Sequence, residues 1–335
     1  ASIICLPMSS GSFLQFRQWI IRSSFANMIL AFSQWPLLKF GKITAGGLNA
    51  GDGMAGVFFV SGDGNYVSAT VSVYFGLYYL AFAKAAPPWL RISTLLAALF
   101  QIQLSDSKQV LFALFCGGIL LVVVTMKELD KALTYAVGII ILLASFYWAV
   151  QNIEALSAFQ NYAAKENVWG LDGEAARIKP IAFKIIPTYF ESPLNWLFGL
   201  GPGHTVGRLG GWLLKENWAI LGPLVATTHP ASAAAVSAYY SNWLAVESTI
   251  FSPLFGWAGI WGDLGFFGLG AYLLLGFIVW HYLCDDMISK LIVLSIAMFG
   301  FIFTQMEEPG FMLYSAALIG LRWQERRFAS LRSAG

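Results

Sequence analysis

The chain has 335 residues, of which 58% are hydrophobic, 16% aromatic and only 11% charged. Its mean hydropathy is +0.66 and its formal net charge is +2. Because soluble domains carry about 25% charged residues, this composition excludes an ordinary soluble protein and predicts an integral membrane protein. We expect a lipid bilayer as its surroundings and no nucleic acid as a partner.

Apolar stretches of membrane length recur along the chain. A helix crosses the ~30 Å hydrocarbon core with about 20 residues, although roughly 17 can suffice. Eight stretches meet or approach this length, at 18–35, 66–82, 90–104, 109–126, 133–150, 262–280, 289–304 and 310–322. The predicted fold class is therefore an all-α polytopic membrane protein with about eight transmembrane helices.

Charged residues are distributed unequally between the two ends of these helices. Cytoplasmic loops are enriched in Lys and Arg, and an even number of spans puts both termini on one side. That side has eleven bases and five acids, whereas the other side has nine bases and thirteen acids. The eleven bases are Arg17, Arg22, Lys84, Arg91, Lys127, Lys131, Lys290, Arg322, Arg326, Arg327 and Arg332, and the five acids are Glu128, Asp130, Asp285, Asp286 and Glu325.

This asymmetry predicts that residues 151–261 form one large extracytoplasmic loop that contains amphipathic helices. Residues 217–246 leave an alternative open, because a broken helix that crossed once there would invert the C-terminal tail. With no repeat or low-complexity tract visible, residues 1–335 are predicted to form a single membrane domain. Since the chain does not begin with Met and lacks a signal-peptide layout, we expect earlier helices to be missing.

The cysteines give no sign of redox or metal chemistry. Cys5, Cys116 and Cys284 are scattered, so neither a disulfide framework nor a metal-binding spacing is present. No metal and no cofactor are expected.

The predicted loop contains two of the three histidines, His204 and His229. A loop of this length is usually functional or disordered, and its many aromatic residues favour an ordered structure at the membrane interface. Within it, the stretch 177–190 (RIKPIAFKIIPTYF) has apolar residues at roughly helical spacing, with Lys179 and Lys184 between them. This pattern predicts a helix that lies on the membrane surface.

A cluster of glycines, GLGPG at 199–203, superficially resembles a dinucleotide-binding loop. No βαβ unit surrounds it, however, its third glycine is misplaced, and Pro202 lacks a backbone donor. We therefore expect no nucleotide here. The alternative is a tight turn that closes an amphipathic helix.

Several short motifs follow one another in a recognisable order. They are a loop-to-helix junction at 55–75, a Ser-Lys helix start within 104–121, Arg177, SPL at 192–194, GLGPG at 199–203 and GDLGFFG at 262–268. In this order they resemble the bacterial O-antigen ligase and O-antigen polymerase superfamily. The resemblance spans most of the chain.

The resemblance implies a glycosyltransferase of the polytopic, GT-C-like kind in the bacterial plasma (inner) membrane. Such an enzyme takes glycan from a polyprenyl-diphosphate-linked donor at the outer face and transfers it to a glycan or lipid acceptor, without a metal or a nucleotide sugar. Among the site residues, the resemblance points to the turn formed by Gly199, Gly201 and Gly203 as a substrate-binding element.

A diphosphate leaving group needs a permanent cation to neutralise its developing charge, which arginine supplies through bidentate hydrogen bonds. Arg177 is the best candidate, although it could be a solvated residue at a helix start. Lys108 and Arg208 are further candidates, and Lys184 is a substrate-binding candidate in the surface helix. Lys108 could equally be a snorkelling lysine, and Arg208 a solvated loop charge.

One expected motif is missing. Ligases of this family share a histidine about eleven residues ahead of the G-x-x-G element, where this chain has Leu-Phe at 254–255. His204 or His229 could supply the base, because imidazole titrates near neutrality. Asp263 and Glu247 are carboxylate alternatives. Each has a structural alternative too: His204 as a turn cap, His229 as the end of a segment, Glu247 as a solvated charge and Asp263 as a helix N-cap.

The missing histidine favours a polymerase over a ligase. Several outer-face bases also suit a polymerase, which binds two carrier-linked glycans and so needs two diphosphate-tolerant sites. A transporter and a binding or scaffold protein are the remaining alternatives. A transporter would line its path with ionisable residues near mid-membrane, yet the predicted spans contain almost none.

Overall fold

The computed structural model describes residues 6, 8–43, 53–58, 64–125, 168, 170, 172–211, 214, 217–247, 251–302 and 304–334, together with nine helical positions between 137 and 152. Within these residues the secondary structure is helical, and no β-strand occurs among them. The all-α prediction is confirmed. Most of the predicted span at 133–150 lies outside the described residues.

The α-helices follow one another along the chain with short connections in several places. In order, they are α1 (Ser10–Lys39), α2 (Gly64–Phe82), α3 (Pro88–Leu104), α4 (Lys108–Thr125), α5 (Glu174–Ile178), α6 (Ile181–Ile185), α7 (Leu194–Phe198), α8 (Trp218–Leu221), α9 (Pro230–Tyr240), α10 (Trp243–Glu247), α11 (Phe255–Tyr282), α12 (Met287–Phe299) and α13 (Pro309–Ala334). Short 3-10 helices occupy Gly56–Phe58, Ile186–Tyr189, Gly222–Leu224 and Thr304–Glu307.

Among the described residues, two helices are long and apolar enough to cross a membrane, namely α4 and α11. A third, α12, is apolar but has only 13 residues. Helices α1, α2, α3 and α13 coincide with further predicted spans. The structure shows that these stretches are helical, but they are not among the candidate membrane spans. The total of about eight spans stays a prediction.

The chain forms two compact units. The first contains residues 1–121, 278–295 and 309–335, and the second contains residues 122–277 and 296–308. The predicted insertion at 151–261 falls within the second unit. The prediction of a single membrane domain stays a prediction.

Helix α2 is the centre of the first unit, where it packs against α1, α3 and α13 and is buried along most of its length. Several buried polar groups of α2 bond to side chains of the neighbouring helices. Asn27 donates to the Ser68 carbonyl at 3.1 Å and to the Ser72 hydroxyl at 3.0 Å, and Gln101 donates to the Ser68 hydroxyl at 2.9 Å. Because buried polar groups are costly without partners, these bonds fix how α1, α2 and α3 pack.

Ion pairs in the first unit join residues that the charge count assigns to the cytoplasm. Arg326 pairs with Asp285 at 3.2 Å and with Asp286 at 2.9 Å, while Arg17 pairs with Glu325 at 3.4 Å. These residues come from α1, α13 and the α11–α12 connection. They therefore share one end of the unit, as residues on the same side of a bilayer would.

The second unit is built largely from short helices. The single surface helix predicted at 177–190 is divided into α5, α6 and a 3-10 turn, because Pro180 and Pro187 lack the backbone N–H that a continuous helix needs. Part of the apolar side of this segment packs inside the protein. Ala182 and Ile186 are buried in a core cluster, while Lys184 is exposed.

The region 217–246 also consists of separate pieces. Its longest helix, α9, has 11 residues, which at 1.5 Å per residue is too short for a bilayer core of ~30 Å. Neither α8 nor α9 is among the candidate spans. The structure therefore gives no support for a crossing there.

Helix α11 starts at Phe255, seven residues before the predicted start at 262, and it has a kink at Gly265. Gly265 has φ 65°, and an added Cβ would collide with the backbone of Leu197 and Phe198. The kink therefore marks the place where α7 passes over α11 within the second unit.

Candidate functional site

The glycine cluster forms the tight turn that its composition predicts. Gly199 ends α7 with φ 76°, and Gly201 and Gly203 have φ 109° and 78°. Side chains with a Cβ rarely adopt these angles, so glycine is required for this path. Asn195 fixes the preceding helix, because its Oδ1 accepts from the Ser192 N–H at 3.0 Å and its Nδ2 donates to the Gly199 carbonyl at 3.2 Å.

The turn binds directly to α11. The Leu200 N–H donates to the Gly262 carbonyl at 2.9 Å, and the Gly201 N–H donates to the Asp263 carbonyl at 3.0 Å. These are the residues of the GLGPG and GDLG motifs, which are about sixty residues apart in the chain. Folding thus brings two separate motifs into contact.

The Asp263 carboxylate holds the next part of the turn. It accepts from the Gly203 N–H at 2.8 Å, from the Thr205 N–H at 2.8 Å and from the Thr205 hydroxyl at 2.6 Å. Its side chain is buried. The alternative role as an N-cap is wrong, because α11 begins eight residues earlier and these bonds go to another segment. Since this carboxylate is occupied by three donors, its role in the structure is to shape the turn.

A second carboxylate, Glu307, reaches the same segment and is not among the residues that the sequence predicts. Its Oε2 accepts from the Arg208 N–H at 2.7 Å. A Cβ added to Gly207 would lie 2.8 Å from Asp263 Oδ2 and 2.9 Å from Glu307 Oε2, so both carboxylates approach the same backbone position. Burial and the charge of Asp263 raise the pKa of Glu307 to about 7, against the opposing effect of the Arg208 N–H.

The two histidines of the loop stack on each other. The rings of His204 and His229 lie 4.8 Å apart between centroids, at 20° between planes, and Tyr189 contacts His229 edge-on at 6.2 Å. Burial and the neighbouring His204 lower the pKa of His229, so it is neutral at pH 7. The structure brings together the two bases that the sequence could only offer as separate alternatives.

The hydrogen bonds of His204 and His229 indicate that the neutral forms of the two rings carry their proton on different nitrogens. His229 Nδ1 accepts from the Ala231 N–H at 3.2 Å and caps α9, so the proton of its neutral ring is on Nε2. His204 Nδ1 lies against the Leu200 carbonyl, which only accepts, so this nitrogen carries the proton. The Nε2 of the exposed His204 ring is left as a lone-pair acceptor. His204 is therefore the better placed of the two to act as a base.

The predicted cations lie in different places. Arg208 is half-buried next to Glu307, whereas Arg177 is exposed on α5, which packs near the small cluster of Val168, Leu244 and Phe251.

Of the remaining candidates, Lys184 is exposed on α6, Glu247 is the last residue of α10, and Lys108 begins α4 and pairs with Asp106 at 2.9 Å. Lys108 belongs to the first unit, while all the others belong to the second. Within the described residues, no three His, Cys, Asp or Glu side chains are grouped so that they could hold a metal ion.

The second unit thus has an exposed imidazole, the buried carboxylate of Asp263, the half-buried carboxylate of Glu307 and an arginine. All four belong to, or bond to, one glycine-rich turn at 199–208. Proton removal from a hydroxyl group and binding of an anionic group are the reactions that such residues support. In comparisons with known proteins, no protein-family model, no curated protein and no solved structure matches the chain.

Proposed function

We propose that this protein is a membrane glycosyltransferase that acts on polyprenyl-diphosphate-linked glycans at the outer face of the bacterial plasma membrane. In this proposal it is polytopic and GT-C-like, with about eight spans and with residues 151–261 outside the cytoplasm. The two helices of membrane length and the clustering of the cytoplasmic ion pairs support this arrangement. Polymerisation of carrier-linked glycans ranks above transfer to a separate lipid or protein acceptor.

The observation that carries the proposal is the bonding of the GLGPG turn to the GDLG segment of α11. Both motifs contribute to the family resemblance, and each alone is too short to be specific. A glycine turn that only closed a surface loop would have no need for bonds to a helix about sixty residues away. The contact therefore supports the interpretation of the two motifs as parts of one site.

The proposed reaction is a displacement at the anomeric carbon of the donor glycan. His204 Nε2 removes the proton from the acceptor hydroxyl while that oxygen forms the new glycosidic bond, and the bond from the anomeric carbon to the diphosphate oxygen breaks. The diphosphate leaves with the electron pair, and a nearby arginine stabilises its charge. Arg208 is on the same turn as His204, and Arg177 is an exposed cation on another helix of the second unit.

The pairing of His204 with His229 suits this role. The two rings stack at 4.8 Å between centroids, and burial together with the neighbouring His204 lowers the pKa of His229. The Leu200 carbonyl fixes the His204 ring through Nδ1. An imidazole that is held in one orientation and exposed is suited to act as a general base.

The test is to incubate the purified protein with carrier-linked repeat units alone. We expect a ladder of longer chains, which would support polymerisation. Transfer that appears only after a separate lipid or protein acceptor is added would reverse our ranking in favour of a ligase. Absence of product under both conditions would contradict the glycosyltransferase proposal.

A matched pair of variants tests the base. His204→Gln retains a donor for the Leu200 carbonyl but has no titratable nitrogen, so we expect turnover to fall by on the order of 10²- to 10⁴-fold. His281→Gln is the control, because His281 is the third histidine and lies in the last turn of α11. Equal activity of the two variants would remove His204 from the mechanism.

A further inference from the structure

Glu307 is a half-buried carboxylate that the motifs do not indicate. It ends the 3-10 helix Thr304–Glu307, and its Oε2 accepts the Arg208 N–H. Its other oxygen, Oε1, is buried and has no hydrogen-bond partner among the residues that the structure describes. A buried oxygen without a hydrogen-bond partner lowers the stability of the folded protein, and a role in function would explain why Glu307 is present.

Charged and titratable groups face Glu307 from several elements. Arg208 on the glycine-rich turn attracts its ionised form, and Asp263 on α11 repels it. Tyr272, also on α11, is close enough to interact electrostatically with Glu307, and Glu308 is its chain neighbour. The environment therefore contains one cation and at least one competing anion.

There is little space around this carboxylate. A Cβ added to Gly259 would lie 2.8 Å from Gly207 Cα and 3.0 Å from Glu307 Oε1, so the helix and the turn meet closely there. Glu307 cannot easily move away when the charge beside it changes, because close-packed interiors resist displacement. A change of protonation is the easier response.

We propose that Glu307 is a positioning residue for diphosphate binding: it holds the backbone of Arg208 through Oε2 and accepts a proton on Oε1 when a diphosphate binds at the Arg208 guanidinium. This inference rests on the proposed function, because it takes the diphosphate of the carrier as the ligand. The proton comes from the solvent, and no covalent bond to the ligand forms or breaks in this step.

Electrostatics supports this assignment. An arriving diphosphate adds negative charge near the carboxylates of Asp263 and Glu307, and like charges repel more strongly where water is partly excluded. Neutralising Glu307 removes one of these repulsions and also releases the Arg208 guanidinium from an intramolecular anion. Because the pKa of Glu307 is raised to about 7, the proton is gained at little cost near neutral pH.

The test measures proton uptake on binding of farnesyl diphosphate, by titration calorimetry at pH 8 in buffers of different ionisation enthalpy. We expect wild-type protein to take up about one proton more than Glu307→Gln, because Gln cannot titrate while its carbonyl still accepts the Arg208 N–H. We also expect Glu307→Gln to bind about tenfold more tightly than wild type at pH 8, but equally at pH 6. Glu308→Gln is the charge-matched control and should behave as wild type.

Two further variants keep the test decisive. Arg208→Gln should lose both affinity and the extra proton uptake. Glu307→Asp, which titrates but is one methylene too short for the Arg208 N–H, should retain proton uptake with weaker binding. Thermal unfolding of each variant checks that it folds.

The outcomes separate the two proposals. If wild type and Glu307→Gln bind farnesyl diphosphate with the same proton uptake, the role of Glu307 is overturned while the glycosyltransferase proposal stands. If wild-type protein binds no farnesyl diphosphate, both proposals are overturned.

Discussion

Replacement of Glu307 by Gln should stabilise the protein at alkaline pH and leave its stability almost unchanged at acidic pH. Burial raises the pKa of this carboxyl from 4.5 to about 7, and the charge of Asp263 adds to the effect. Between these two values the folded state retains a proton that the unfolded chain has lost. The free energy of unfolding therefore falls as pH rises from about 4.5 to about 7 and then levels off.

The size of the effect on the free energy of unfolding follows from the difference between the two pKa values. At ~1.4 kcal/mol for each pH unit, ionisation of Glu307 costs the folded state roughly 3 kcal/mol at pH 8. Gln is neutral at every pH and retains an oxygen for the Arg208 N–H, so Glu307→Gln avoids this cost. At pH 5 the wild-type side chain is protonated in the folded state, and the two proteins should differ little.

The assay is thermal unfolding in lipid or detergent, followed by the fluorescence of the 13 tryptophans at pH 5 and pH 8. We expect an increase of several degrees in the apparent Tm of Glu307→Gln at pH 8 only. Glu308→Gln is the control, since it removes a neighbouring buried carboxylate. A Glu307→Gln protein that is equally destabilised at both pH values would refute the reasoning, because the ionised carboxylate would then be a net stabilising group.

Three further predictions address the site and the topology. Arg177→Lys should lower turnover about a hundredfold in a folded protein, since an ammonium cannot reproduce the planar fork on a diphosphate; wild-type turnover would remove Arg177 from the mechanism. In intact cells, Gly201→Cys should react with a membrane-impermeant reagent and Arg326→Cys only after permeabilisation; the opposite pattern would invert the topology. Gly207→Ala should lower stability by about 1–3 kcal/mol through clashes with two carboxylates, measured against Gly118→Ala, where an added Cβ meets nothing within 4 Å.

The long helices can be predicted from the sequence because their signals are local. Helix α2 is predicted at 66–82 and occupies Gly64–Phe82, and α3 begins at Pro88, a residue that suits the first turn of a helix. The errors lie where a helix continues beyond its apolar part. Helix α1 starts at Ser10, where the Ser9 side chain accepts from the Ser12 N–H, and α13 extends to Ala334 through a charged segment. A hydropathy window does not detect polar turns at the end of a helix.

The site can be predicted only in part. The glycines, both histidines and Asp263 are indicated by their residue types, and the turn that the glycines predict is present. What each side chain does depends on contacts between distant segments. Asp263 reaches Gly203, and Glu307 reaches Arg208, which is 99 residues away in the chain. No local sequence pattern around Glu307 indicates this contact. Its position between two predicted spans, where acidic residues are rare, is the one signal that could have suggested it.

The proposed function places His204 in the role of the histidine that the resembled ligases have ahead of the G-x-x-G element. This chain has Leu254 and Phe255 at the place where the resemblance leads us to expect that histidine. Leu254 is half-buried, whereas Phe255 is buried in the core cluster with Trp261 and lies 6.0 Å from Tyr239 between ring centroids. An ionisable ring in place of Phe255 would lose its solvation. His204, by contrast, is exposed. It belongs to the turn whose backbone bonds to Gly262 and Asp263 of the same helix. In the proposed mechanism the base is therefore His204 of the turn and not a residue of the helix.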